Sequence, residues 1–206
     1  MKIKVLNLLL FILLATATLS AKILLPAVLS HNMVLQQKSR VKLWGKAIPN
    51  SCVNVRTSWN NQMSVAQSDM NGDWQLTVLT PSAGGPYEIG ITDGEETILK
   101  DILIGEVWLC SGQSNMALPL SGRAGQPVEG ANEILVRAKE SLPLRVFTVV
   151  SSSSETPQDN VKGKWLKPTS ENLQNTSAVA YFYGNYYKKH WMSPLVLLYQ
   201  LIVVPK

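Results

Sequence analysis

The chain has 206 residues, 46% hydrophobic and 16% charged, with a formal net charge of +5. Its length and apolar content suffice for a buried core and exclude a disordered tail, so one or two small domains are expected. The basic residues form neither a stripe nor an aromatic-interleaved patch, which excludes a nucleic-acid interface. Cys52 and Cys110 are too few for a disulfide framework and lack metal-ligand spacing, so they read as buried small hydrophobes.

Residues 1–21 have the three-part form of a secretory signal peptide. Met1-Lys2-Ile3-Lys4 precedes an apolar run over residues 5–15, and small residues follow up to Ala21. Cleavage is expected after Ala21, with Ala17 as the alternative. The apolar run is too short for a membrane span, and no cysteine at the cleavage site offers a lipid anchor. Export to a periplasmic or extracellular space is expected, or to a lysosomal or secreted one if the source is eukaryotic.

Residues 22–100 alternate in short segments, 40–44, 52–57, 73–79 and 87–92, separated by turn residues, a pattern that predicts an all-β sandwich. Asn71-Gly72 between segments 63–68 and 73–79 predicts a hairpin, and residues 81–86 predict a loop. Trp44 and Trp74 fit core positions in strands better than sugar-stacking platforms. His31 reads as a structural or solvated turn residue.

After Asp101 the pattern becomes α/β. Residues 101–110 form a nearly continuous apolar run, predicting a central strand buried on both faces of a parallel sheet. A helix is predicted within residues 127–141, a strand over 144–150 and a polar loop over 151–160. A further helix is predicted over about 176–190, with Thr176 as N-cap and Lys188, Lys189 and His190 crowding its C-terminal end. His190 then reads as a helix-terminal cation and not as a catalytic base. Asn175-Thr176-Ser177 is a weak match to a glycosylation sequon.

The strand over residues 101–110 runs into Ser111-Gly112-Gln113-Ser114-Asn115-Met116. Reactive groups in such sheets collect beyond the carboxyl ends of strands, and Gly112 removes the side chain that would crowd the exit turn. Ser114 is therefore the candidate nucleophile, its own backbone N–H facing a developing oxyanion. Gln113 and Asn115 are expected to shape the turn, Asn115 helping to position the loop through its amide. No metal or other cofactor is called for.

The whole block, residues 105–116, resembles the nucleophile block of the sialate O-acetylesterase family. This family belongs to the SGNH-hydrolase group, and Gly-Gln-Ser-Asn there replaces Gly-Asp-Ser-Leu. Residues 25–37, 41–47, 71–74 and 83–87 are similar to successive landmarks of the same family, as are 145–147, 163–165 and 177–184 further on. The resemblance covers about residues 22–190, the N-terminal portion of such an enzyme. Where the family has an aspartate before Asn-Met-Val-Leu, this chain has His31. The implied architecture is a β-sandwich domain over residues 22–100 followed by the beginning of an α/β, flavodoxin-like SGNH domain over residues 101–190.

The resemblance implies a carboxylic-ester hydrolase removing O-acetyl groups from sugars or glycans through an acetyl-enzyme on Ser114. A serine esterase also needs a general base and a residue to orient it. In the family these belong to an Asp-x-x-His element further along the chain, and the glycine and asparagine that complete the oxyanion hole also come later. Only Ser114 of that set carries over, so a missing C-terminal half and an inactive isolated chain are expected.

Residues 191–198 depart from the family, which continues with something like Asp-Val-Pro-Val-Gly-Leu-Ile. Trp191 and Met192 each have a single codon, so this segment begins TGG ATG, and reading from the third base permits the family's residues. Residues 191–206 are thus expected to be an out-of-frame tail whose apolar run, 195–204, has nothing designed to cover it. Two other functional classes remain open on the sequence: a secreted carbohydrate-binding β-module without catalysis, and an interaction protein of the cell envelope.

Overall fold

In the computed structural model of the chain, residues 22–150, 152–191 and 195–201 are described. The expected export signal lies outside them. Strands β1 (Val34–Gln36), β2 (Arg40–Lys46), β3 (Cys52–Thr57), β4 (Met63–Gln67), β5 (Asp73–Leu79) and β6 (Gly84–Thr92) lead into the 17-residue strand β7 (Glu96–Gly112). Helix α1 (Ala131–Arg137), strands β8 (Leu144–Val149) and β9 (Gly163–Leu166), helices α2 (Ser170–Gln174) and α3 (Ala178–Trp191), and strand β10 (Leu195–Leu201) follow.

The N-terminal strands form because their apolar residues recur every second position. In β3, Val53 and Val55 are buried while Cys52 and Arg56 are exposed; in β5, Trp74 and Val78 are buried between exposed Asp73, Gln75, Thr77 and Leu79. β2 and β5 pair antiparallel as a separate two-stranded ladder. The larger sheet has the order β4-β3-β6-β7-β10-β8-β9, with β1 also pairing β7. One core joins the two sheets: Leu43, Trp74 and Val78 pack with Val53, Val55, Ile89 and Ile91, and the cluster continues to Phe147 and Trp165.

β7 organises the molecule. Its first half pairs antiparallel with β6, residues 103–105 pair parallel with β1, and residues 106–112 pair parallel with β10. The change from antiparallel to parallel pairing, expected as a break near residue 100, happens inside one continuous strand. Ile102, Leu103 and Ile104 are buried, whereas Leu109 is 66% exposed. Only the first part of the predicted run is therefore enclosed on both faces.

Several expectations are corrected. Asn71-Gly72 makes the predicted turn, with Gly72 at φ 81° and the Asp69 carboxylate accepting the N–H groups of Asn71 and Asp73, both at 2.8 Å. It makes no hairpin, however, because β4 pairs β3 and β5 pairs β2. The turn carries the chain from one sheet to the other, and a Cβ on Gly72 would collide with the Ala47 carbonyl. Cys52 is exposed instead of buried, Cys110 is half-buried, and both are free thiols. Trp74 is a core residue at 3% exposure, as expected.

The helix expected from Thr176 begins at Ala178, and its cap is Ser177, whose Oγ accepts the N–H of Ala180 at 3.2 Å. Thr176 instead donates its hydroxyl to the Asn172 carbonyl. The expected uncovered tail is also corrected at the level of the backbone. Leu195–Leu201 lies between β7 and β8 and is parallel to both.

Candidate active site

β7 ends at Gly112, and the chain turns at once. Gln113 O accepts the N–H of Ala117 at 3.0 Å and Asn115 O accepts that of Leu118 at 3.2 Å, so the turn closes around Ser114. A Cβ on Gly112 would sit 3.1 Å from Met116 Cβ, tight enough to push the turn away from the strand end. Gln113, Ser114 and Asn115 are all exposed. The backbone carbonyls of Gln113 and Asn115 hold the turn. The amide of Asn115, expected to do so, makes no hydrogen bond among the described residues.

Ser114 therefore sits at the carboxyl end of a sheet strand with parallel neighbours, its hydroxyl facing solvent. Among the described residues, the N–H groups of Ser114 and Met116 donate to no carbonyl. Backbone N–H groups without a carbonyl acceptor in the turn that carries an exposed serine are available as oxyanion donors.

A network that sequence reading missed pins this turn from the far side of the chain. Leu118 O accepts the N–H of Ala178 at 2.8 Å, Leu120 N–H donates to Thr176 O at 2.8 Å, and Ser121 N–H donates to Gln174 O at 3.0 Å. Ser177 Oγ meets Met116 Sδ at 3.2 Å. Arg123 adds a hydrogen bond from Nη2 to the Ala117 carbonyl at 2.8 Å. The start of α3 and the segment after Ser114 are thus one unit, and the sequence hinted at it only through the block at residues 177–184.

Under the strand end, the Trp108 ring meets those of Tyr183 and Tyr187 edge-on, with centroids 5.3 and 5.2 Å apart. Burial raises the pKa of the Cys110 thiol and weakens it as a rival nucleophile. The Tyr183 hydroxyl is also raised, first by desolvation and then by Tyr187 and Cys110.

Among the described residues, no side chain hydrogen-bonds the Ser114 hydroxyl. His31 Nδ1 accepts the N–H of Lys100 at 3.0 Å, which makes it a structural residue of the early turn. Lys100 lies twelve residues before Gly112 along β7, and no hydrogen bond joins His31 to Ser114 among the described residues. The side chain of His190 lies outside the described residues. No group of three or more His, Cys, Asp or Glu side chains suited to a metal occurs among the described residues.

Asp101, at the entrance to the apolar run, has φ 57° and faces Arg145 and Lys167 at 3.2 and 2.7 Å. Burial opposes its ionisation. The Lys167 hydrogen bond and the charges of Arg145 and Lys167 outweigh that and hold the carboxyl below its ordinary range.

No protein-family model matches the chain. It is 28% identical over 188 residues to the sialate O-acetylesterase of Homo sapiens, covering 82% of this chain and 35% of that protein. To the sialate O-acetylesterase of Mus musculus it is 29% identical over 177 residues, covering 77% and 32%. A crystal structure of a carbohydrate acetylesterase from Xanthomonas citri superposes with a TM-score of 0.79 and 29% identity, over 87% of this chain and 40% of that one. The resemblance read from the sequence is thus observed over about four fifths of the chain, which spans about a third of the length of the curated relatives it matches.

Proposed function

We propose that this chain, similar over most of its length to sialate O-acetylesterases and to a carbohydrate acetylesterase, is an exported protein carrying the nucleophile segment of a carbohydrate O-acetylesterase. The observation that carries the proposal is the exit turn after β7, where an exposed Ser114 lies beside unengaged backbone N–H groups. In this reading the N-terminal strands form the β-sandwich portion and residues from 101 onward the SGNH-type portion.

Ser114 Oγ attacks the acetyl carbonyl while its proton passes to a base, and the carbonyl oxygen becomes an oxyanion held by N–H donors of the turn. Collapse expels the sugar alkoxide, which takes up a proton, and leaves the acetyl group on Ser114. Attack by water then frees acetate and restores the hydroxyl.

Both proton transfers need a base, and among the described residues none reaches Ser114. In this reading the base is an imidazole like that of the Asp-x-x-His element of the resembling family, and sustained turnover depends on it. By itself the chain would acylate slowly and deacylate more slowly still, because water needs the same base. The test compares wild-type chain with Ser114→Ala on an aryl acetate and an O-acetylated sugar. About one equivalent of alcohol released without sustained turnover, and none from the variant, is the expected result. Steady hydrolysis at equal rates in both would overturn the proposal.

A further inference from the structure

A groove of about 860 Å³ runs along the β2–β5 ladder, lined by Trp44, Trp74 and Gln75 from the ladder and by Leu24, Leu25 and Gln158 beside it. Leu43, Trp74 and Val78 are buried, and Trp44 and Gln75 lie opposite each other in the ladder; Gln75 is exposed, while Trp44 is partly buried, packed against the core and also part of the groove lining. The wall across from them is the loop at residues 158–160. It is tied down where Asn160 Oδ1 accepts the N–H of Ala27 at 2.8 Å. Trp44 Nε1 donates to the Asp159 carbonyl at 3.1 Å, so its ring is held in one orientation while remaining part of the lining.

The charged lining residues are Lys42, Lys46, Asp69, Asp73 and Asp159, nearly balanced in sign, and one ion pair forms among them. Lys46 Nζ lies 2.8 Å from Asp73 Oδ1, and the Asp69 carboxylate is taken up by the N–H groups of Asn71 and Asp73. The side-chain amides of Gln67 and Gln75, by contrast, make no hydrogen bond among the described residues. Each can donate and accept, which suits hydroxyls. A fixed indole beside planar amides, with little net charge, is a site for a polyol with apolar C–H faces, and its volume is that of a ligand pocket.

We propose that this groove binds a run of neutral sugar units, with Trp44 as the platform and Gln67 and Gln75 contacting hydroxyls. The choice of sugar as the ligand class rests on the carbohydrate reading above. The groove shares no residue with the turn at Ser114, so a glycan held there would be anchored apart from the ester being cleaved.

The experiment titrates the full chain with xylo-, cello- and manno-hexaoses, without acetyl groups, by calorimetry and tryptophan fluorescence. Saturable binding of at least one is expected, weakened about tenfold or more by Trp44→Ala and several-fold by Gln75→Ala, and unchanged by Ser114→Ala. Gln75 is exposed, so its variant carries the test if Trp44→Ala does not fold. Absence of binding to every hexaose by folded wild-type chain, or binding unaffected by both groove variants, would overturn the proposal. Acetylation of Ser114 by an aryl acetate is read separately, so failure of the groove and failure of the esterase reading are distinct results.

Discussion

Gln36 and Glu106 are locked together across two parallel strands. Gln36 Nε2 donates to Glu106 Oε2 at 3.1 Å, while Gln36 Oε1 accepts the N–H of Val107 at 2.9 Å. Gln37 engages the other carboxylate oxygen at 2.7 Å and accepts the N–H of Ala83 at 3.0 Å. This clamp sits where β7 exchanges β1 for β10, and it orients the strand half that ends at Gly112, just before Ser114.

Glu106→Gln tests the clamp. A carboxylate accepts from both amides, but a glutamine presents one oxygen and turns a donor toward a donor. A loss of roughly 1–3 kcal/mol in stability by urea unfolding is expected. An unchanged midpoint would show that the clamp is incidental.

Asp101→Asn isolates charge from backbone shape, because Asn also tolerates the positive φ at this position. Arg145, almost fully buried, would lose its anionic partner, costing roughly 2–3 kcal/mol at neutral pH. The Asp101 carboxyl is held below its unfolded pKa. Its contribution is therefore present above that unfolded value and lost as pH falls through the folded one. Unfolding from pH 7 downward should show wild type and variant converging in acid; a constant difference would contradict the assignment.

Ser177→Ala removes both the cap of α3 and the contact to Met116. A loss of about 1–2 kcal/mol is expected, with faster hydrogen exchange at Ala178 and Leu120, since their bonds join α3 to the turn after Ser114. Exchange raised only at the helix end would separate the cap from the turn.

Leu198→Pro probes β10. Its backbone pairs with Leu109 on one side and Phe147 on the other, so proline breaks a ladder between two parallel strands. Destabilisation of about 3 kcal/mol or more is expected. A chain indifferent to this change would return the segment to the uncovered tail expected from its sequence.

What was legible in the sequence was local. Gly112 and Ser114 mark an exit turn by their own chemistry, and Val53, Val55, Trp74 and Val78 mark strand faces by spacing. Partner choice was not legible: Asn71-Gly72 makes its turn, but nothing in those residues says that the strands it joins belong to different sheets. Cys52 misled because its neighbours Val53 and Val55 take the inward positions. The support of Ser114 by residues 174–178 is set by tertiary hydrogen bonds some sixty residues away in sequence, for which local patterning holds no signal. Trp44 packs against the core, as its place in a short strand suggested, while its part in the groove lining depends on the distant loop at residues 158–160.

The most direct test of the account is to locate the acetyl group by peptide mass mapping after the full chain has been incubated with an aryl acetate. A single acetyl group retained on Ser114, and absent from that peptide in Ser114→Ala, is the predicted result. Acetylation confined to lysines, with Ser114 unmodified, would contradict the assignment of Ser114 as the nucleophile.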